Sequence, residues 1–588
     1  MAVTSVTKLK PHSNFIFNMF TFILVMSITP SALADVSAIK SNIQNTIENA
    51  SQRSAFQNEK KINHWIDENQ HHELLSAKQN NSQIKDQLVN SEKCLNISGI
   101  YLRGVSLLKP DELASLTELN RHCYTTKAIN LLVRELTSLY IKEGYITARV
   151  LLSPLDKQKR LAVNVVEGKL EAIEVSNQES LKSYSQNVNP QVINTKMLFP
   201  NMLGKPLNLR NIEQGVDQAN RLRSNHVTVN IKPGKAFGTS ILSLNNQPSQ
   251  LWGLTASVDN YGQKNTGKER ASLAYSLDDP FGLNDYFTIG ALSTLQNDAL
   301  GFSRSYNLLY SVPYGRLTLN AFASYSSYGI YQQLPSCQAF LSGNSAQFGF
   351  KSDYVFFRDQ RNIVSAYGEW IKKQSKNYFE HEKLSVSSFS YDEFELGISE
   401  LHKFDTSTIN MNLGVEKGLP ELVLHQNNKL DQITSLADFT KIKTNINYSH
   451  LFLLKNHAYQ LSNHFFAQYA FQDLPSAETM NLADSTAIRG IVNHYLSSGS
   501  GAYLQSTLAG IYRCNYGVFS PRAGVDIGTA YYHDSDRKSD SAFGVSLGVN
   551  YNFQHLNVDF MVNKGFVLNH SSNVKEPLQV SAQVVVTI

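Results

Sequence analysis

The stretch Gly262-Gln263-Lys264-Asn265-Thr266-Gly267-Lys268 carries most of the spacing of a phosphate-binding loop. In such a loop glycine backbone N–H groups cradle the phosphates and a lysine reaches their charge. Here Glu269 stands where the magnesium-binding hydroxyl residue belongs. The flanking segments alternate in polarity as hairpin strands do, so the stretch reads as a turn. The 16 histidines are scattered, and neither H-E-x-x-H nor G-x-S-x-G occurs. Cys94, Cys123, Cys337 and Cys514 have no zinc-ligand spacing. No catalytic constellation, cofactor site or metal site is expected, and the chain does not read as an enzyme.

With chemistry set aside, the question becomes which elements this chain builds. Its 588 residues call for several domains. A net charge of +4 with 17% charged residues gives no case for nucleic-acid binding. Lys8 and Lys10 precede an apolar run from Phe15 to Ile28, and Ala32-Leu33-Ala34 offers a small-x-small cleavage site. Residues 1–34 therefore read as a secretory signal peptide. Beyond residue 34 no apolar stretch of about 18 residues follows, so no transmembrane helix is expected.

From Trp252 to the C-terminus, segments of about ten residues alternate in polarity and are separated by turns. Phe543, Val545, Leu547, Val549, Tyr551 and Phe553 share one face of a strand, opposite Gly544, Ser546, Gly548, Asn550 and Asn552. Leu578, Val580, Ala582, Val584, Val586 and Ile588 repeat the pattern. Leu317, Leu319, Ala321, Ala323 and Tyr325 do so too, with Phe322 as an exception. Spanning strands must close on themselves, because lipid offers no partner to a backbone N–H or C=O. The expectation is a barrel of roughly sixteen strands over residues 248–588. Val312–Gly315 and Asp279–Gly282 read as tight periplasmic turns, and Lys372 to Ser388 as an extracellular loop. A soluble sandwich also alternates, but the signal peptide and the 28 Tyr and 30 Phe favour the barrel.

Residues 94–175 follow a β-α-α-β-β order, and the order recurs more loosely over 176–247. Ile129, Leu132, Val133, Leu136, Leu139 and Tyr140 form a helical stripe that Gly144 is placed to end. Leu209, Ile212, Val216, Ala219 and Leu222 form another. Exposed sheet edges in two such modules can take an extended chain by strand addition. In an oxidising periplasm Cys94 and Cys123 are expected to form a disulfide bracketing the first module's opening strand and helix. Residues 35–70 carry a thin apolar stripe (Val36, Ile39, Ile43, Ile47, Ala50), and the polar stretch up to residue 93 reads as a linker.

Together these residues resemble the transporters of two-partner secretion, the haemolysin secretion/activation (ShlB/FhaC/HecB) type. The resemblance rests on Tyr140 to Val150, Val166-Glu167-Gly168, Leu209 to Leu222, Pro233-Gly234, Asp259-Asn260-Tyr261-Gly262 and Thr266-Gly267. It implies a plug helix (35–70), a linker (71–93), POTRA 1 (94–175), POTRA 2 (176–247) and a 16-stranded transmembrane barrel. It also implies a lumenal loop motif, here Ile488-Arg489-Gly490-Ile491, pinned by a strand motif containing Asp526 and Gly528. A lumenal arginine needs a carboxylate, since an unpaired charge there is costly. Ile491 and Gly524 replace the family's aromatics, and Ile588 replaces the usual terminal aromatic.

The implied protein is a monomeric barrel in outer-membrane lipid that takes an unfolded exoprotein at its POTRA domains and exports it. A barrel-assembly insertase of the same superfamily is the alternative, although that class usually carries more POTRA repeats. A passive porin would not need residues 35–247.

Overall fold

The computed structural model describes residues 93–114, 116, 123–177, 193–333, 338–384, 388–420, 437–483, 486–492, 496–532, 539–568 and 575–588. The signal peptide, the plug helix and the linker expected up to residue 93 lie outside the described residues, Lys93 excepted, as does Cys337.

The first module runs β1 (Gly99–Arg103), α1 (Pro110–Ala114), α2 (Thr126–Lys142), β2 (Arg149–Leu152) and β3 (Arg160–Val166). Its sheet has the order β1-β3-β2, with β1 parallel to β3. The α2 helix starts where the Thr125 hydroxyl accepts from Ala128 N–H at 3.1 Å. It stops where Gly144 takes φ +88° and the N–H of Tyr145 reaches back to the carbonyl of Tyr140. Its stripe of Leu132, Leu136 and Tyr140 is fully buried against Val163 and Val165 of β3. At roughly 1.5–3 kcal/mol per large apolar side chain, this stripe rather than intrinsic propensity holds α2 to the sheet. A disulfide joins Cys94 to Cys123, tying the approach to β1 to the approach to α2.

The second module runs β4 (Lys169–Asn177), α3 (Thr195–Leu198), α4 (Leu209–Asn220), β5 (Val227–Pro233) and β6 (Thr239–Asn246), with sheet order β4-β6-β5. The boundary expected after residue 175 lies instead at Gly168. The β4 ladder runs parallel to β6, from Lys169↔Thr239 to Asn177↔Asn246, so its hydrogen bonds belong to the second sheet.

Only Glu167 and Gly168 separate β3 from β4, and Glu167 is clamped. Its carboxylate accepts from Ser106 N–H at 2.7 Å, Leu107 N–H at 2.9 Å and the Tyr140 hydroxyl at 2.7 Å. Burial pushes the Glu167 carboxyl up. The Ser106, Tyr140 and Leu107 donors outweigh that and hold it below the usual range. A second staple crosses the junction: Asn208, the N-cap of α4, donates to Glu143 O at 2.9 Å, and Leu209 N–H to Gly144 O at 2.8 Å.

The barrel opens with β7 (Trp252–Asp259), β8 (Arg270–Asp278), β9 (Tyr286–Thr294) and β10 (Phe302–Tyr314). It continues through β11 (Leu317–Gln333), β12 (Gln338–Arg358) and β13 (Asn362–Phe379), which carries a two-residue hairpin extension, β14 (Glu382–Lys383). Next come β15 (Phe389–Lys403), β16 (Ser407–Pro420), β17 (Thr440–Leu454) and β18 (His457–Ala470). A long inward connection holds the short strands β19 (Met480–Asn481) and β20 (Ser497–Ser498). The circuit ends with β21 (Ser500–Cys514), β22 (Gly517–Tyr531), β23 (Ser539–Phe553), β24 (Leu556–Leu568) and β25 (Leu578–Thr587). Sixteen full strands close antiparallel where β25 pairs with β7, from Gln583↔Asp259 to Thr587↔Thr255. Beyond that ladder the Asn260 side chain continues it, donating to Val580 O at 2.9 Å and accepting from Ala582 N–H at 2.8 Å.

The alternation expected for β23 is present. Leu547 stands 68% exposed on the lipid side, whereas Ser546 is buried toward the lumen. Lys372 to Ser388 is not a loop throughout, since Lys372 to Phe379 belong to β13. Lys372 and Lys373 are paired with Asp392 and Glu393 on β15, and that pairing lets a strongly polar segment stay a strand. The Gly262–Lys268 stretch is the β7–β8 hairpin, closed by Gly262 N–H on Lys268 O at 2.8 Å.

The second module is seated on the barrel's periplasmic rim. Phe322, the exception to the β11 pattern, faces inward and packs with Leu309 and Tyr286 around Leu222 at the end of α4. Arg358 of β12 forms ion pairs with Asp217 and Glu213 and donates to Gln214 at 2.9 Å. Gln218 donates to Thr318 at 2.8 Å. The two tight turns expected here both touch the module: Asn194 donates to Gly282 O at 2.9 Å, and Gly315 N–H to Met197 O at 2.7 Å. Among the described residues no helix is long and apolar enough to cross a membrane.

Candidate functional site

The connection between β18 and β21 folds back into the barrel lumen instead of projecting away from it. Its limbs meet as the two-residue β19–β20 ladder, Met480↔Ser498 and Asn481↔Ser497. Leu482, Ala483, Ala487, Ile488, Ile491 and Leu496 of this loop bury themselves against Tyr503, Ala530 and Ala542 of the wall. An apolar face thus seats the loop, and polar contacts set its register.

The main register contact joins Arg489 to Asp526 on β22. The Arg489 Nε donates to Asp526 Oδ2 at 2.7 Å, and its Nη2 to Oδ1 at 2.5 Å. The Arg489 backbone N–H also donates to Oδ2, at 2.9 Å. Two of the remaining three guanidinium hydrogens go to the Thr507 hydroxyl and the Ser506 carbonyl on β21, each at 3.0 Å. Asp526 is 0% and Arg489 7% exposed. A planar guanidinium fits this two-pronged carboxylate geometry, and these hydrogen bonds offset much of the cost of burying both charges.

Two glycines make the approach possible. Gly490 takes φ +87°, and a Cβ there would lie 2.5 Å from Gly565 N on β24. Gly524 on β22 leaves the room the guanidinium occupies, as a Cβ there would lie 2.4 Å from Arg489 Nη2. The aromatic that the family motif places at 524 has no space in this chain. Ile491, which replaces the other aromatic, is buried in the loop's apolar face. On the far side of the motif, Val492 N–H donates to Glu576 at 2.8 Å.

The structure therefore brings Ile488, Arg489, Gly490 and Ile491 together with Asp526, and Gly528 lies beside them, where an added Cβ would sit 3.0 Å from Ile488. Cys94 and Cys123 are remote, in the first module, and Cys514 is a free, exposed thiol at the β21–β22 turn. Sequence reasoning missed Thr507, Ser506, Gly565 and Glu576. It also missed Glu478, at the start of the same loop. Arg489 and Asp526 spend their polar groups on each other and on the wall, so the site holds a segment of chain in place.

Three family models match the chain. "Haemolysin secretion/activation protein ShlB/FhaC/HecB" covers residues 238–551, a POTRA domain covers 169–233, and a ShlB-type POTRA domain covers 95–168. The hemolysin transporter protein ShlB of Serratia marcescens is 38% identical, over 91% of this chain and 93% of its own. The hemolysin transporter protein HpmB of Proteus mirabilis is 36% identical, over 90% and 93%. The solved structure of CdiB from Escherichia coli superposes with a TM-score of 0.78 at 23% identity, covering 92% of this chain and 99% of that one.

Proposed function

Because this chain belongs to the haemolysin secretion/activation family ShlB/FhaC/HecB, and is a two-partner secretion translocator of the outer membrane and not an enzyme, we propose that its cargo is one large haemolysin-type exoprotein. Its two POTRA domains lie in the periplasm. They take the unfolded cargo there, and the barrel passes it to the cell surface. Among the described residues β2 and β5, each an outer strand of its three-stranded sheet, pair on one side alone, which suits capture of an extended chain by strand addition. Residues 1–34 serve as signal peptide, 35–70 as a plug helix and 71–93 as its tether. The barrel acts as a monomer, since its sheet closes on itself and leaves no edge to a second copy.

The observation that carries this reading is the loop seated in the lumen by Arg489 and Asp526. A polypeptide crossing the barrel must share or vacate that space, so the loop is a gate whose tip is pinned by the Arg489–Asp526 ion pair. The test is export of a co-produced haemolysin-type exoprotein into the medium with this chain wild type, absent, or carrying Arg489→Ala. Cargo outside only with the wild type, and strongly reduced with the variant at equal barrel abundance, supports the reading. Equal export in all three would overturn it and turn attention to barrel insertion.

A further inference from the structure

The lumenal loop grips the wall at a second place. Glu478 ends a short 3-10 turn, Ser476–Glu478, ahead of β19 and is buried. Lys373 of β13 lies 2.6 Å from its Oε1, and Lys441 of β17 lies 2.6 Å from its Oε2. The Tyr391 hydroxyl of β15 donates to Oε1 as well. The Glu478 carbonyl accepts from Gln468 of β18 at 2.8 Å, so main chain and side chain are both held.

The two lysines have other partners. Lys373 is 2.7 Å from Glu393, and Lys441 is 2.9 Å from Glu416. Lys443 bridges Glu416 at 3.1 Å and Glu395 at 2.8 Å. Glu393, Glu416 and Glu478 come close enough together to suggest a cation site, but the ammonium groups of Lys373 and Lys441 already sit among them. Without Glu478, three wall lysines face three wall glutamates, and seating the loop adds a fourth carboxylate. Withdrawing it therefore strands no buried cation, the outcome that makes breaking a buried pair expensive. The Arg489–Asp526 pair differs, because there the wall supplies the carboxylate and the loop the cation.

We propose that Glu478 is a second, releasable latch: a positioning residue that fixes the first limb of the loop against β13, β15 and β17 and, when withdrawn, leaves Lys373, Lys441 and Lys443 each with a wall carboxylate. Arg489 holds the tip and Glu478 the root, so the two ends can let go in sequence. The purpose of this latch rests on the translocator reading, but its test needs no cargo.

The test uses the full-length chain in the outer membrane, with Cys337 and Cys514 replaced by serine and Ala483→Cys as a reporter in the buried limb. A membrane-impermeant maleimide is added from outside. Glu478→Gln and Glu478→Ala should each speed labelling of the reporter by about tenfold, and Glu478→Asp should bring it back toward the starting rate. Barrel integrity is read separately, from the shift in gel mobility on heating, and the near-isosteric Gln variant serves if Ala fails to fold. Unchanged labelling in the Gln variant, with faster labelling in Arg489→Ala, would overturn the latch. Failure of cargo export by the wild type would instead sink the translocator reading and leave the latch standing.

Discussion

The Asp526 carboxylate binds Arg489 twice over, taking the guanidinium Nε at 2.7 Å and the same residue's backbone N–H at 2.9 Å on one oxygen. It therefore fixes the backbone of the loop tip as well as its side chain. A lysine at 489 would keep the charge but lose the two-pronged geometry and the bonds to Thr507 and Ser506. Arg489→Ala and Asp526→Asn should be equally severe, since each leaves a buried charge short of its partner, and Arg489→Lys should come close to them because the bonds that set the register are lost. Breaking such a pair costs about 3–5 kcal/mol, so export should fall by about tenfold or more at constant barrel abundance. Quantifying cargo in the medium by immunoblot checks it, and near-normal export by the lysine variant would refute it.

Gly490→Ala should unseat the tip without touching any charge. The new Cβ meets Gly565 N and Lys564 backbone atoms, and φ +87° strains any L side chain. The expected result is an increase in channel conductance in planar bilayers, with the barrel still folded by heat-shifted gel mobility. Wild-type conductance would show that the tip tolerates more space than its geometry allows.

The first module should lose stability on the acid side through Glu167. Its folded-state carboxyl titrates below its ordinary value, so the stabilisation is complete above about pH 4.5 and is lost as the pH falls through the depressed value. Hydrogen exchange of α2 and β3 amides in the full chain should accelerate over that window. Glu167→Gln should abolish this dependence while exchanging faster than wild type near neutrality.

Replacing Cys94 and Cys123 by serine should loosen the same module. The bond closes a loop of 29 residues in sequence separation, worth about 3–4 kcal/mol. Limited proteolysis should cut the first module sooner, with the second module and the barrel protected as before.

Arg358→Ala should free the second module from the rim, because Asp217, Glu213 and Gln214 all lose their partner on β12. The cost is on the order of 1.5–3 kcal/mol, since Asp217 and Glu213 are partly exposed and water can take the place of the guanidinium. Faster hydrogen exchange in α4, and no change in β15 to β18, is the expected pattern.

Strict alternation in β23 and β25 was enough to read the lipid face, because each outward residue meets only lipid and reports only its own polarity. Inward residues answer to partners elsewhere in the chain, and there the reading failed. Phe322 is an exception to the alternation because Leu222 of the second module fills the space beside it. Lys372 and Lys373 looked like a solvated loop because their carboxylates lie on the next strand. Arg489 and Asp526 were legible through a motif, whereas Glu478, with partners on β13, β15 and β17, carries no local mark. The module boundary expected after residue 175 fell beyond β4 for the same reason, since the partner that puts β4 in the second sheet, β6, lies about seventy residues further along the chain.

The junction at Glu167 and Gly168 has a mechanical consequence. Two residues of connection, the clamp to Ser106 and Tyr140, and the Asn208 staple to Glu143 leave no hinge between the two modules. At the other end, Arg358, Gln218 and Leu222 fix the second module to the rim. The periplasmic arm is then a cantilever. A pull or twist applied at the first module is not dissipated in a flexible tether but arrives as torque at the bases of β8 to β12.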